Sequence, residues 1–317
     1  MKKFIRFLKD WTLPVSIAVG GACYLLFCCV PQLDAVGDRL GEVVDAVFPW
    51  MVFSTLFSTF CRIDFHQMRP HRWHIGIIAT QLVLVALNVW LIMWTESEGS
   101  RFLYEALLTC IIGPAATAAP VVTAKIGGTI NTMTAFVVLS SFVCALTIPA
   151  VFPLIERGAG LDFWSAFFII LQKLSVVLIL PLVLGWCMQH FAKRLCAWIV
   201  SIPDLSFYLW AAQLSVTSGV TVRNIVHSQG SLSLLLMIAL LSLVLCFVLF
   251  VIGRCVGSRL GDEVNGGQAS FQKNTALSIW VAYTYLNPLS SVGAGCYVLW
   301  QNIINSIELW LYRRQHG

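Results

Sequence analysis

Apolar residues along the chain are gathered into ten long runs, separated by short segments that are polar or rich in Gly and Pro. An α-helix needs about 20 residues to cross the hydrocarbon core of a bilayer, so each run is long enough for one crossing. The pattern therefore predicts an all-α polytopic membrane protein, with residues 1–317 forming a single transmembrane domain. The predicted spans are residues 11–30, 43–60, 73–94, 102–124, 130–154, 163–189, 198–220, 231–253, 266–286 and 290–312.

The composition supports burial in lipid. Apolar residues make up 58% of the chain and charged residues 11%, and the mean hydropathy is +0.83, whereas soluble proteins carry about 25% charged residues. The basic start at residues 1–9 precedes an apolar run that is too long for a typical signal peptide, so it is interpreted as an uncleaved first helix. Most of the eleven Cys residues lie inside apolar runs and none forms a CxxC pair, which favours helix packing over a disulfide framework or a metal site.

The positions of the basic residues predict the orientation. With the N-terminus inside, fourteen of the twenty Lys and Arg residues fall in cytoplasmic segments and four in the opposite segments. The remaining two are Lys173 and Lys273, which lie within spans; for Lys173, snorkelling or pairing is expected. This bias follows the positive-inside rule and predicts an inner-membrane protein with both termini in the cytoplasm. The net charge of +5 is therefore no indication of nucleic-acid binding.

Two spans differ from ordinary anchoring helices. In the fourth span, Pro114 and Pro120 each remove a backbone donor, and the residues between them are small. The ninth span is polar over residues 268–278 and contains Lys273, whose charge would cost about 2.5–3.5 kcal/mol near the bilayer centre. Both helices are predicted to open near mid-membrane, facing protein or a water-filled cavity. A simple proline kink and a snorkelling Lys273 near the interface remain open as alternatives.

The two unusual spans occupy equivalent places if the chain is divided into two halves of five spans, approximately 1–160 and 161–317. Five spans per half place the halves in opposite orientations. Interrupted spans at matching positions of two inverted repeats are typical of secondary transporters, whose binding site lies where the interruptions meet. The pattern thus predicts a transporter with discontinuous crossing helices 4 and 9.

Several segments resemble the bile acid:sodium symporter family in span order. These segments are residues 113–117 with 146–149, which are similar to the family's Pro-Gly-Gly-Thr break and following helix, 173–185 in the sixth span, 272–275 at its Gln-Asn-Ser/Thr-Gly break and 300–303 at its Trp-His-Asn-Ile stretch. The resemblance implies a panel of spans 1, 2, 6 and 7 that rocks against a core of spans 3–5 and 8–10. It also implies sodium ions behind the crossing and an organic anion in the cleft before it.

Departures from the family pattern fall on the implied sodium ligands. Ala119 and Pro120 stand where a Ser-Asn pair is expected, and Gln268 or Ala269 stands where a glutamate is expected, although Gln81 still matches a ligand position. Sodium prefers several hard oxygen ligands, so sodium coupling is expected to be lost or altered, and no metal site is assigned. We expect the Lys273 ammonium to take the place of the ion by bridging the opened carbonyls. If burial favours its neutral amine, protonation would instead couple transport to H⁺.

The predicted function is alternating-access transport of a small organic anion in the bilayer, with no further cofactor and an open oligomeric state. The crossing is expected to contain Lys273, Asn274, Thr275, Gln272, Gln268, Pro114, Thr117, Pro120 and Gln81, and the cleft Thr109, Gln213, Thr217, Gln301 and Asn305. The alternative is a non-transporting membrane sensor or scaffold with the same fold. An enzyme is not expected, because no span holds a catalytic pair. An arsenite carrier using Cys110 is a further alternative.

Overall fold

A computed structural model describes residues 12–30, 34–63, 68–155, 162–202, 205–227 and 230–316. Within these ranges every regular element is helical. The elements of the first half are α1 (Thr12–Cys29), α2 (Asp34–Phe60), α3 (Arg72–Trp94), α4 (Glu98–Ile112), α5 (Ala119–Lys125) and α6 (Ile130–Ile155). Those of the second half are α7 (Phe163–Leu174), a π-helical segment (Ser175–Ile179), α8 (Leu180–Phe191), α9 (Lys193–Ser201), α10 (Leu205–Val226), α11 (Leu232–Leu260), α12 (Glu263–Phe271), α13 (Thr275–Tyr285) and α14 (Pro288–His316).

Five helices are long and apolar enough to cross a membrane, counted over the ranges just given: residues 39–60 and 72–94, α6, residues 163–191 and α11. The shorter apolar helix is Val15–Cys29. The remaining predicted spans fail this criterion for identifiable reasons. Two of them are interrupted, and α10 and α14 each carry a row of buried polar side chains, including Gln213 and Thr217 on α10 and Gln301 and Asn305 on α14.

The sixth and seventh predicted spans differ in detail from the structure. The sixth contains the π-helical segment just before Pro181, a residue without a backbone donor, and such segments arise where the regular ladder is disturbed. The predicted span 198–220 is divided between α9 and α10. Ile202 is extended, as expected for a residue that precedes a proline, here Pro203 in the sequence. The membrane-length helix therefore starts at Leu205 and runs to Val226.

Several helix contacts frame the crossing. α10 lies along α1 and α2 and also contacts α14, while α2 packs on α8 and α7 packs on α6. α12 packs on α11 at very short range. Gly266 of α12 makes this approach: a Cβ there would lie 2.6 Å from Gly257 Cα and 2.7 Å from the Gly253 carbonyl oxygen. Glycine is thus required for the two backbones to meet.

Candidate functional site

The two interrupted helices cross where their helical hydrogen bonding stops. α4 ends at Ile112 and α5 begins at Ala119, while α12 ends at Phe271 and α13 begins at Thr275. Between them Ala115 and Lys273 form an antiparallel bridge. Ala116 N donates to Gln272 O (2.8 Å), and Asn274 N donates to Pro114 O (2.8 Å). The opened backbone groups therefore satisfy each other, as they must away from water. The predicted interruptions are confirmed.

Each interruption is also held by a side chain from the helix that follows it. Ser140 of α6 accepts a hydrogen bond from Ala115 N at 3.1 Å. Gln301 of α14 accepts from Lys273 N at 3.0 Å, and its Nε2 donates to Lys273 O at 3.3 Å. Ser140 and Gln301 thus serve the two bridge partners in equivalent ways. Sequence reasoning placed Gln301 in the cleft and missed Ser140, whose role depends on a contact between distant segments.

The side chains of Ser140 and Gln301 act as clamps on the two interruptions, and removing either clamp should lower the stability of the protein. Gln301→Leu leaves the buried N–H and C=O of Lys273 without their side-chain partner, and Ser140→Ala leaves the N–H of Ala115 unpaired; an unsatisfied buried group costs about 1–3 kcal/mol. We expect a lower melting temperature in detergent for both variants, with the larger drop for Gln301→Leu. Thr147→Ala is the control, because its hydroxyl donates only to Val143 O of its own helix. A drop of equal size in the control would contradict the clamp.

The ammonium group of Lys273 lies inside the protein. Lys273 is 2% exposed, and its Nζ donates to Gln81 Oε1 of α3 at 3.0 Å. Gln81 Nε2 in turn donates to the carbonyls of Gly113 (3.1 Å) and Ile112 (3.3 Å). The expectation that the ammonium binds these carbonyls directly is wrong in this detail, because the Gln81 amide lies between them. A snorkelling Lys273 does not fit the geometry, whereas Lys173 is exposed, with Nζ 5.7 Å from the Tyr285 ring centroid.

A small polar cavity of about 20 Å³ adjoins the crossing on the α10 side. Such a volume holds about one water molecule. Thr217 on α10 is 1% exposed, and its Oγ1 has no hydrogen-bond partner. Six of the predicted residues are brought together here; the lining comprises Ala116, Thr117, Trp210, Gln213, Leu214, Thr217, Lys273, Asn274, Thr275 and Ala276.

A larger cavity of about 420 Å³ lies beside it and shares Thr117 and Trp210 with the small one. This volume is in the range of small-molecule sites. Its lining mixes apolar, amide and hydroxyl side chains with two cations, Arg62 and Lys125. The lining comprises Thr59, Arg62, Ile63, Met68, Thr117, Ala118, Pro120, Val121, Val122, Lys125, Ile130, Asn131, Thr134, Ser206, Trp210, Asn302, Asn305, Ser306 and Leu309. Sequence reasoning named Thr117, Pro120 and Asn305 and missed the two cations.

Some predicted residues lie elsewhere. Thr109 is buried, and its hydroxyl donates to Ala106 O at 2.7 Å. It lines neither cavity. Gln272 joins the bridge through its carbonyl, while its buried Oε1 has no partner. Cys110 is fully buried, with its Sγ donating to Ala106 O at 3.3 Å. Cys110, the residue of the arsenite alternative, lines neither cavity.

The side chain of Gln268, in the second half of α12, points away from the bridge into a polar network with residues of α14. Its Nε2 donates to Asn305 Oδ1 (3.1 Å) and to Glu308 Oε2 (2.5 Å). Arg254 pairs with Glu308 (2.8 Å) and with Glu263 (2.8 Å). Glu308 of α14 thus places a carboxylate beside Gln268 and pairs it with Arg254. Over the residues that the structure describes, no group of three or more His, Cys, Asp or Glu side chains is arranged to hold a metal ion.

The comparison with known families bears on these features directly. The model of the SBF-like CPA transporter family matches residues 63–306, more than half of the chain. The matched range begins before α3 and ends within α14, so it contains both interrupted helices and their clamps. No curated protein matches the chain.

Proposed function

The chain belongs to the SBF-like CPA transporter family, and we propose that it carries small organic anions across the membrane by alternating access. It is a multi-pass membrane protein. The observation that carries the proposal is the cavity of about 420 Å³, which opens beside the crossed helices and contains two cationic side chains. Crossed, interrupted helices beside such a cavity are the usual architecture of secondary-transport sites.

We infer an architecture of ten membrane helices in two inverted repeats, with the group of α1, α2, α7–α8 and α10 as the panel. Packing supports the repeat. α3 packs on α4 as α11 packs on α12, and α5 packs on α6 as α13 packs on α14. The matching continues across the halves, since α4 contacts α11 and α14 while α12 contacts α3 and α6. With both termini on the cytoplasmic face of the inner membrane, the large cavity would face the cytoplasm.

For the coupling ion, we propose that the Lys273 ammonium replaces a bound sodium ion behind the crossing. Its contact with Gln81, at the position that the family resemblance assigns to a sodium ligand, supports this. A permanent internal cation would suit facilitated diffusion or exchange. Coupling to H⁺ through Lys273 remains the alternative to be separated by experiment.

The proposal is tested with the purified full chain in proteoliposomes. Counterflow of labelled organic anions (a keto acid, a steroid sulfate, a bile acid and pantoate) is measured with Na⁺ present or replaced by N-methylglucamine, and with or without a pH gradient. We expect saturable counterflow of at least one anion that is unchanged without Na⁺. Strict dependence of counterflow on Na⁺ would contradict the proposal that Lys273 replaces a bound sodium ion. Acceleration of counterflow by the pH gradient would favour H⁺ coupling. Absence of counterflow, with ligand-induced thermal stabilisation retained, would indicate a sensor.

A further inference from the structure

The large cavity carries positive charge without a negative charge among the lining residues that the structure describes. Of those residues, Arg62 and Lys125 are charged, and none is Asp or Glu. Arg62 uses Nη2 to donate to Ile202 O at 2.9 Å. Among the residues that the structure describes, neither cation is ion-paired. A concave site lined by charge of one sign concentrates ions of the opposite sign.

The small cavity at the crossing is polar, and the cation that borders it is directed elsewhere. Gln213, Thr217, Asn274 and Thr275 line the small cavity there. Lys273 borders it as well, but its Nζ is directed to Gln81 on α3. The unpartnered hydroxyl of Thr217 remains as a buried group that a ligand could satisfy. This end offers hydrogen bonds to an uncharged group.

The two cations also come from the two helix groups of the proposed architecture, the panel and the core. Arg62 follows the end of α2, and its Nη2 donates to Ile202 O, directly after α9. Lys125 ends α5, which packs on α6 and α12. The positive-inside rule explains why both residues lie near one face of the membrane. That rule does not require both residues to line the same cavity, nor that the described lining residues of this cavity include no carboxylate.

We propose that Arg62 and Lys125 form the anion-binding site of this cavity. The substrate's carboxylate or sulfate is held at their end, and an uncharged hydroxyl or amide group is presented to the crossing. This rests on the proposed function and narrows it: the substrate class is a small organic anion that carries hydroxyl or amide groups at the end opposite its charge. The anion is recognised away from Lys273, by residues of both helix groups.

The test uses charged thiol reagents and needs no knowledge of the substrate. Val121 lines the cavity and is 57% exposed, so Val121→Cys places a thiol there. Its modification rates by an anionic reagent (sulfonatoethyl methanethiosulfonate) and a cationic one (trimethylammonioethyl methanethiosulfonate) are measured in phosphatidylcholine nanodiscs, which contain no anionic lipid. The parent with its native cysteines gives the background.

We expect the anionic reagent to react faster, and the ratio of the two rates to fall about tenfold when Arg62→Gln and Lys125→Gln are combined, because local ion concentrations follow the charge of the cleft. Arg194→Gln combined with Arg259→Gln removes the same charge outside the cavity and should leave the ratio unchanged. An unchanged ratio in the first double variant, or a fall caused instead by Lys273→Gln, overturns the proposal. Because no transport is measured, failure of the carrier function would leave this result intact.

Discussion

Replacing Lys273 with glutamine is expected to lower anion counterflow about 10- to 100-fold. The shorter side chain cannot reach Gln81 as the ammonium does, and a hydrogen bond to a charged group contributes about 1.5–3 kcal/mol. Gln81 Oε1 would then lie buried without a partner, and its amide would hold the Ile112 and Gly113 carbonyls less firmly. The loss should appear in the maximal rate, since the Lys273 ammonium is directed to Gln81 and away from the cavity that we propose as the substrate site. The measurement is counterflow in proteoliposomes with matched protein content.

Lys173→Gln provides the matched control for that experiment. Lys173 is an exposed lysine of the sixth predicted span, and its nearest recorded partner is the Tyr285 ring. Less than about a twofold change is expected for it, as for most surface substitutions. Counterflow at the wild-type rate in Lys273→Gln would refute the role of the ammonium. So would restoration of the variant's counterflow by Na⁺, if the wild type depends on Na⁺ as well.

The second large effect is expected at the contact between α11 and α12. Gly266→Val would introduce a Cβ that lies 2.6 Å from Gly257 Cα and 2.7 Å from Gly253 O, and backbone atoms cannot move aside as side chains do. Overpacking typically costs about 1–3 kcal/mol, and we expect the upper end here because both neighbours are backbone. The variant should show a clearly lower melting temperature in detergent and a lower yield of folded protein.

Gly99→Val makes the same substitution at an exposed helical glycine, where the nearest atom to an added Cβ is Ser97 Oγ at 4.0 Å. It reports the change in helix propensity alone, and its melting temperature should stay close to that of the wild type. Equal losses in the two variants would show that the close approach of α12 to α11 is not required.

The features that depend on local residue chemistry could be predicted from the sequence. Pro114 and the polar run around Lys273 indicated the two interruptions, because missing donors and uncompensated polar groups cannot form a continuous helix in lipid. The predicted resemblance to the bile acid:sodium symporter family is confirmed by the match over residues 63–306. The meeting of Lys273 with Gln81, 192 positions apart, agrees with the expectation that both lie at the crossing.

The features that depend on distant contacts were missed. The family resemblance places an acidic residue in the ninth span. Glu308 lies beyond that span in the sequence, and only helix packing brings it to Gln268. Ser140 lies in an apolar run of the sequence, and only the hydrogen bond that it accepts from Ala115 N gives it a role at the crossing. In the sequence, Arg62 and Lys125 indicate only the orientation of the chain in the membrane, because nothing in their local sequence indicates a shared cavity. A single sequence carries no information on such pairings.

The attachment of the Lys273 cation to the chain has a consequence for the direction of net flux. A dissociable ion binds on one side and is released on the other, and so transfers the energy of its gradient, whereas a side-chain ammonium that keeps its proton cannot. In facilitated diffusion with such a permanent cation, the anion would move only down its own electrochemical gradient. With the cytoplasm about 100 mV negative, the potential contributes about 2.3 kcal/mol per elementary charge, or roughly 50-fold in the equilibrium ratio of a monoanion. The carrier would then expel its substrate from the cell rather than accumulate it.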